Sequence, residues 1–431
     1  MRLDDYVDGL EPDEGVERRK LAEEKSYEIL DHLDDVAQSF DAAQQGDSLF
    51  GSTAPSVFVG RHGYPDVSAG ILSPMETAAD AERFATSGAW YENGLDIDGV
   101  LQRRSGLLNS TRGATVDVED TWDGFVGVQR EVALADRPVD VEIGLSESPD
   151  LDFSLDDVTT PTGPNARAES ADLAENPHVP KEVEKTLRDD DWGAEGAMTY
   201  LYRRDFDVYD INRVLSAGGL GKGENRRLVP TRWSITAVDD TVGGYLRGKV
   251  RTNTQLGSVE VWVNEYMGNR YWIVLAPGQW EFELVEMKSP GSVWNPDPEG
   301  EIWMASAHEG YEGRTGYVEE TAGAYYAARL GVLEYLDRID RQAKALVLRE
   351  VSDDYWAPVG VWQIRESVRN AFDEAPEAHR RADELAGEPG EAASLGQALR
   401  TVATQLPVSL ADLKRKSELA AGVQTTFGDF G

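Results

Sequence analysis

Arg226, Arg227, Arg232 and Trp233, with Lys222 just upstream, form the densest basic and aromatic cluster in a chain that carries 42 Lys+Arg against 79 Asp+Glu. Guanidinium groups grip phosphate through paired hydrogen bonds and an indole face stacks on an unpaired base, so this residue set points to a nucleic-acid contact. Gly218, Gly219, Gly221 and Gly223 precede it and would let backbone amides approach a phosphate. Their spacing is neither a Walker loop nor a dinucleotide fingerprint, and the alternative reading pairs these Arg residues with the abundant carboxylates beside a core Trp. Asp239 and Asp240 follow in the same segment, while Glu281 and Glu283, two apart, share one face of a strand. Such carboxylates either hold Mg²⁺ or Mn²⁺ for phosphodiester hydrolysis or make a solvated acidic face. His308, near Glu309, Arg314 and Tyr317, and His62, beside Arg61, are the histidines placed to act as a general base or nucleotide contact; a structural role is the alternative. Gly323, Tyr325, Tyr326 and Arg329 open a helix, where they meet an anion or pack into the core. Arg365, Glu366 and Arg369 share a helical face at spacings that favour salt bridges.

The background against which these residues stand is acidic throughout, with a formal charge of −37. The Debye length falls to about 3 Å at 1 M salt, so self-repulsion of this size is screened in molar salt and not in dilute buffer. A halophilic archaeal cytoplasm is the expected setting. Counterion release weakens as salt rises, so DNA affinity there must come from short-range contacts or from a tether. With 0 Cys, disulfides, thiol chemistry and Cys-ligated zinc or iron–sulfur sites are excluded. Met1 to Tyr6 is acidic where a secretion signal is basic, and no apolar run is long enough to span a bilayer, so no membrane association is expected.

The chain ends in Gln424-Thr425-Thr426-Phe427-Gly428-Asp429-Phe430-Gly431. Gln, an apolar residue three later and an aromatic three later again resemble the PIP box, by which repair and replication proteins bind the sliding clamp PCNA. One 3₁₀ turn eclipses side chains three apart, so Phe427 and Phe430 would project together into an apolar groove while Gln424 is held by hydrogen bonds. The motif usually has Leu, Ile or Met where Phe427 stands. Docking of both Phe residues on the protein's own surface is the alternative. A clamp contact would supply the tether that high salt demands.

Longer motifs resemble the archaeal Nre family of DNA repair proteins: Leu228-Val229-Pro230-Thr231-Arg232-Trp233-Ser234-Ile235-Thr236-Ala237-Val238-Asp239-Asp240, Ser56-Val57-Phe58-Val59-Gly60-Arg61, Leu215-Ser216-Ala217-Gly218, Asn264-Glu265-Tyr266-Met267-Gly268-Asn269 and Gly360-Val361-Trp362-Gln363-Ile364-Arg365-Glu366. The similarity runs from about Ser56 to Arg369, with the C-terminal motif beyond it. It implies a role in DNA damage repair and PCNA binding through the tail. Many relatives carry a Cys-rich zinc element near the N-terminus, which this Cys-free chain lacks.

The elements that must position these residues come in runs of strands and runs of helices, which favours α+β: a mainly antiparallel sheet flanked by helices, with helical N- and C-terminal segments and a flexible tail. The expected organisation is an N-terminal helical segment (1–50), a first α/β block (51–150), a linker or long loop rich in Pro and Asp (151–180), a core α+β block (181–372), C-terminal helices (373–418) and the tail (419–431). Within the core, Leu228 to Val238 reads as extended. Ser258 to Tyr266, Arg270 to Ala276 and Gln279 to Met287 read as an antiparallel meander with the doubly apolar middle run at its centre. The functional expectation is a DNA repair factor recruited to PCNA, whose body contacts or processes DNA. Its alternatives are a non-enzymatic clamp and DNA-binding adaptor, or an enzyme on a nucleotide-like small molecule with a coincidental tail.

Overall fold

The structure, a computed structural model, describes residues 48–75, 80–118, 122, 124–146, 163–295, 297–373, 391, 392 and 394–423. The expected N-terminal helix before residue 48, most of the loop after residue 146, and the motif at 424–430 lie outside the described residues. Among the described residues twelve helices and three mostly antiparallel sheets make an α+β fold.

The first layer is built from β1 (Ser48–Thr53), β2 (Val57–Val59), β3 (Asp66–Pro74), α1 (Ala89–Glu92), α2 (Ile97–Ser105), β4 (Leu107–Thr115), α3 (Gly124–Leu134), β5 (Val139–Leu145) and β6 (Asn165–Leu173). Its sheet runs β1-β5-β6-β4-β3-β2, antiparallel except where β6 meets β4. Strand β6 corrects the linker expected at 151–180. Its inward residues Ala166, Ala168 and Ala171 are small and its outward ones polar, so the buried face is hidden in a Pro- and Asp-rich composition. Phe125 and Val132 of α3 pack on Ile71 and Ile143, and buried Gln129 donates to the carbonyls of Phe58 and Gly70 at 3.1 Å, pinning the helix across β2 and β3.

The second layer holds α4 (Lys181–Arg188), α5 (Ala194–Tyr202), α6 (Val208–Ser216), α7 (Thr231–Val250), β7 (Thr254–Gln255), β8 (Val259–Tyr266), β9 (Asn269–Ala276), β10 (Glu281–Lys288), β11 (Trp303–Glu309), α8 (Ala322–Arg338), β12 (Arg341–Gln342), β13 (Lys344–Val351), α9 (Trp362–Asp373), β14 (Glu391–Ala392), α10 (Leu395–Ala403), α11 (Leu410–Lys416) and α12 (Glu418–Ala421). Its main sheet runs β11-β10-β13-β9-β8-β14, and β7 pairs with β12 alone. Strands β8 and β9 form the expected hairpin, whose turn places Met267 and Gly268 at φ 50° and 65°. The rest of the meander does not form. Strand β13 enters between β9 and β10, antiparallel to the first and parallel to the second. Residues 277–280 easily bridge the roughly 10 Å between strands two places apart. Both β9 and β13 are apolar on both faces, and both therefore take central positions. Tyr271, Ile273, Leu275, Ala345 and Val347 face α5 to α9; Trp272, Val274, Leu346 and Leu348 face α10 to α12.

The segment expected to be extended is the start of α7. Its β-branched residues suggested a strand, but Ser234, Val238, Val242, Leu246 and Val250 recur at every fourth position and are all buried, and burial of that stripe overrides weak local propensity. Pro230 stands at the helix entrance, where its missing N–H costs nothing. The first residues of the tail expected from 419 onward are helical instead, because Leu419 and Ala420 are buried in α12. Among the described residues, no helix is long and apolar enough to cross a membrane.

Candidate nucleic-acid interface

The basic cluster read from the sequence divides in two. Arg226 is buried, donating from Nε to the Gly221 carbonyl at 3.1 Å and from Nη2 to the Thr186 carbonyl at 3.2 Å, with Asp190 at 3.5 Å. It fastens the loop after α6 to α4. Arg227 lies in an ion pair with Asp117 at 2.6 Å. Gly218 and Gly219, beside them, are required by close packing. A Cβ at Gly219 would meet Val214 at 2.8 Å, and the Ala217 and Gly218 carbonyls accept from buried Arg130 at 3.2 and 3.3 Å. Burial, with Arg226 nearby, pushes the Arg130 guanidinium down to about 10, which leaves it charged at neutral pH.

Arg232 and Trp233 are different, since both are exposed in the first turn of α7. The Trp233 ring lies 5.3 Å from that of Tyr64, the planes inclined by 54°. Tyr64 belongs to the turn after β2, together with Arg61 and His62, and Tyr64, Arg61 and His62 are exposed. Three backbone ties bring this turn to α7. The Val59 N–H donates to Thr231 Oγ1 at 2.9 Å, Val116 N–H to the Pro65 carbonyl at 3.0 Å, and Leu228 N–H to the Val116 carbonyl at 2.8 Å. Sequence reasoning read the turn and missed the pairing. The partners are 169 positions apart in the numbering, and no local signal joins them.

The candidate catalytic carboxylates do not converge. Asp239 forms a bidentate pair with Arg365 of α9, at 2.6 and 2.7 Å to Nη2. Asp240 turns to Arg329 of α8 at 2.6 Å, and the same guanidinium reaches Glu309 at 2.9 Å. Arg369 pairs with Glu334 at 2.7 Å and Glu366 at 3.0 Å, and Tyr325, Tyr326 and Arg329 are buried. Glu281, Glu283 and His308 gather elsewhere, over the C-terminal helices. His308 contacts Glu281 at 2.9 Å and Glu418 at 3.2 Å, and Lys344 reaches Glu281 at 2.5 Å. The Glu283 carboxylate accepts from Ser417 Oγ at 2.7 Å and from the N–H groups of Glu418 and Leu419 at 2.9 and 2.8 Å. Among the described residues no three acidic or His side chains form a group able to hold a metal, and these carboxylates are taken up by cations or helix amides, so the Mg²⁺ or Mn²⁺ reading does not fit them.

Burial alone would raise the Glu281 carboxyl, but hydrogen bonds from Lys344 and His308 outweigh it and hold the group below the ordinary carboxylate value. A carboxyl with a depressed folded pKa stabilises the fold above its unfolded pKa and loses that contribution as pH falls through the folded value. The stability gap between the unmodified chain and Glu281→Gln, read from urea midpoints at matched KCl, is therefore expected to be steady at neutral pH and to close below about pH 4.5. A gap that widens on acidification would contradict the pairing.

Sequence profiles described as Archaeal Nre, N-terminal and Archaeal Nre, C-terminal match residues 21–295 and 309–430. The chain belongs to the archaeal Nre family. It is 64% identical over 433 residues to the DNA repair protein NreA of Haloferax volcanii, covering 100% of both chains. It is 38% identical over 332 residues to the DNA repair protein NreA of Archaeoglobus fulgidus, covering 77% of this chain and 81% of the relative. The DNA repair protein NreB of the same organism is 38% identical over 325 residues, covering 75% of this chain and 80% of the relative. No solved structure matches. In this Nre chain the C-terminal match takes in Gln424, Thr425, Thr426, Phe427, Gly428, Asp429 and Phe430.

Proposed function

We propose that this chain is a cytoplasmic DNA repair factor, recruited to the PCNA sliding clamp through Gln424 to Phe430, with a body that contacts DNA. The observation that carries the repair role is the end-to-end 64% identity to a relative named for DNA repair. The clamp reading rests on the spacing of Gln424, Phe427 and Phe430, and on what precedes them. Helix α12 is hydrogen-bonded to buried Glu283 of β10, so Gln424 stands three positions beyond a helix tied to the central sheet. So short a connection keeps the body within reach of DNA threaded through a clamp, at an effective concentration on the order of mM. The charge of −37 suits such work in molar salt, where repulsion from DNA is screened.

Calorimetric titration of the cognate PCNA in molar KCl tests this reading. Two aromatic anchors removed together, in Phe427→Ala/Phe430→Ala, are expected to weaken binding by roughly 100-fold or more. Equal affinity of the variant, or no heat with the unmodified chain, would overturn the clamp contact.

A further inference from the structure

We propose that Tyr64 and Trp233, flanked by Arg61 and Arg232, form a stacking platform for single-stranded DNA; this deepens the DNA contact proposed above and rests on it. The two rings are 50% and 45% exposed, and among the described ring pairs this is the one in which both members are exposed. Of the other large exposed aromatics, Phe50 of β1 has no ring or cation beside it among the described residues, and the remaining three are already covered. The Lys288 ammonium sits 4.0 Å from the Trp303 ring, Arg130 lies 3.9 Å from Trp122, and Tyr317 stacks on buried Tyr326. The side chains of Arg61, His62 and Arg232 make no hydrogen bond or ion pair with any described residue. In a chain with 79 carboxylates for 42 Lys and Arg, cations with no acid partner among the described residues, set beside two exposed rings, complement a phosphate-bearing ligand.

The geometry also selects the kind of strand. Centroids 5.3 Å apart leave less than the roughly 7 Å needed to admit a base between the rings, so a base stacks on an outer face. Only an unpaired base offers its face, which excludes intact duplex. Stacking releases no counterions, and two arginines give a slope of log affinity against log salt of only about −1.4, so the contact persists where a purely ionic one fails.

Fluorescence anisotropy of a labelled single-stranded thymidine oligonucleotide, titrated with the full chain in molar KCl without clamp, tests the proposal. Tyr64→Ala and Trp233→Ala are each expected to weaken binding roughly 5- to 100-fold, Trp233→Phe to keep most of the affinity because a ring face remains, and Trp303→Ala to change nothing. Ala variants that keep the native circular dichroism and bind like the unmodified chain would overturn it. So would preference for duplex, or no binding by the unmodified chain, which would leave the rings to a protein partner. Trp233→Ala should bind PCNA as the unmodified chain does, so failure of the clamp contact and failure of the platform are read separately.

Discussion

Asp239→Ala is expected to cost about 3–5 kcal/mol of folding stability, because it strands a guanidinium in the interior. Asp239 is 1% exposed and the Arg365 side chain 3%. Burial alone would lower the Arg365 pKa, but Asp239 outweighs it and holds the guanidinium above its ordinary value. The Tyr209 ring, 4.9 Å from that guanidinium, cannot replace a carboxylate. Asp240, the next residue, provides the contrast. Its side chain is 57% exposed and its partner Arg329 keeps Glu309, so Asp240→Ala should cost no more than about 1 kcal/mol. Urea unfolding at fixed KCl measures both. Adding Arg365→Met to Asp239→Ala should recover much of the loss, since removing both charges leaves nothing unpaired. Similar small losses for the two Asp variants would show that the buried pair does not hold α7 to α9.

Glu283→Ala is expected to free the C-terminal helices while leaving the rest of the fold in place. The carboxylate is fully buried and accepts three hydrogen bonds from residues 417–419, so it caps α12 and joins it to β10. Hydrogen bonds to a charged group contribute about 1.5–3 kcal/mol each without adding fully, and their loss should lower the local opening free energy by about 2–4 kcal/mol. In hydrogen–deuterium exchange that is a gain of roughly 30- to 1,000-fold in the exchange rate of 417–423, with β9 and α8 unchanged. Uniform acceleration across the chain would mean instead that Glu283 supports the whole sheet. Because residues 417–423 lead into Gln424, the same variant would separate the proposed clamp affinity of the motif from the anchoring of residues 417–423 to the body.

Much of this protein is determined by its sequence alone, and the physical reason is that the signals are local. Doubly apolar runs such as Tyr271 to Leu275 require a central strand, the Met267-Gly268 pair requires a tight turn, and the spacing of Gln424, Phe427 and Phe430, on which the proposed clamp contact rests, is read without any fold behind it. Identity of 64% along the whole chain likewise carries family membership without coordinates. What only the tertiary structure decided depends on partners distant in the chain. Strand β6 hides in a Pro-rich stretch because its buried face is merely alanine, and β13 displaces a neighbour that the turn at 277–278 suggested. Arg226 and Arg227 look like a phosphate clamp in one dimension and turn out to be occupied, because Thr186 and Asp117 reach them from other elements. Trp233 finds Tyr64 for the converse reason: hydrogen bonds through Thr231 and Val116 draw two remote turns together, and no composition or spacing along the chain records that meeting.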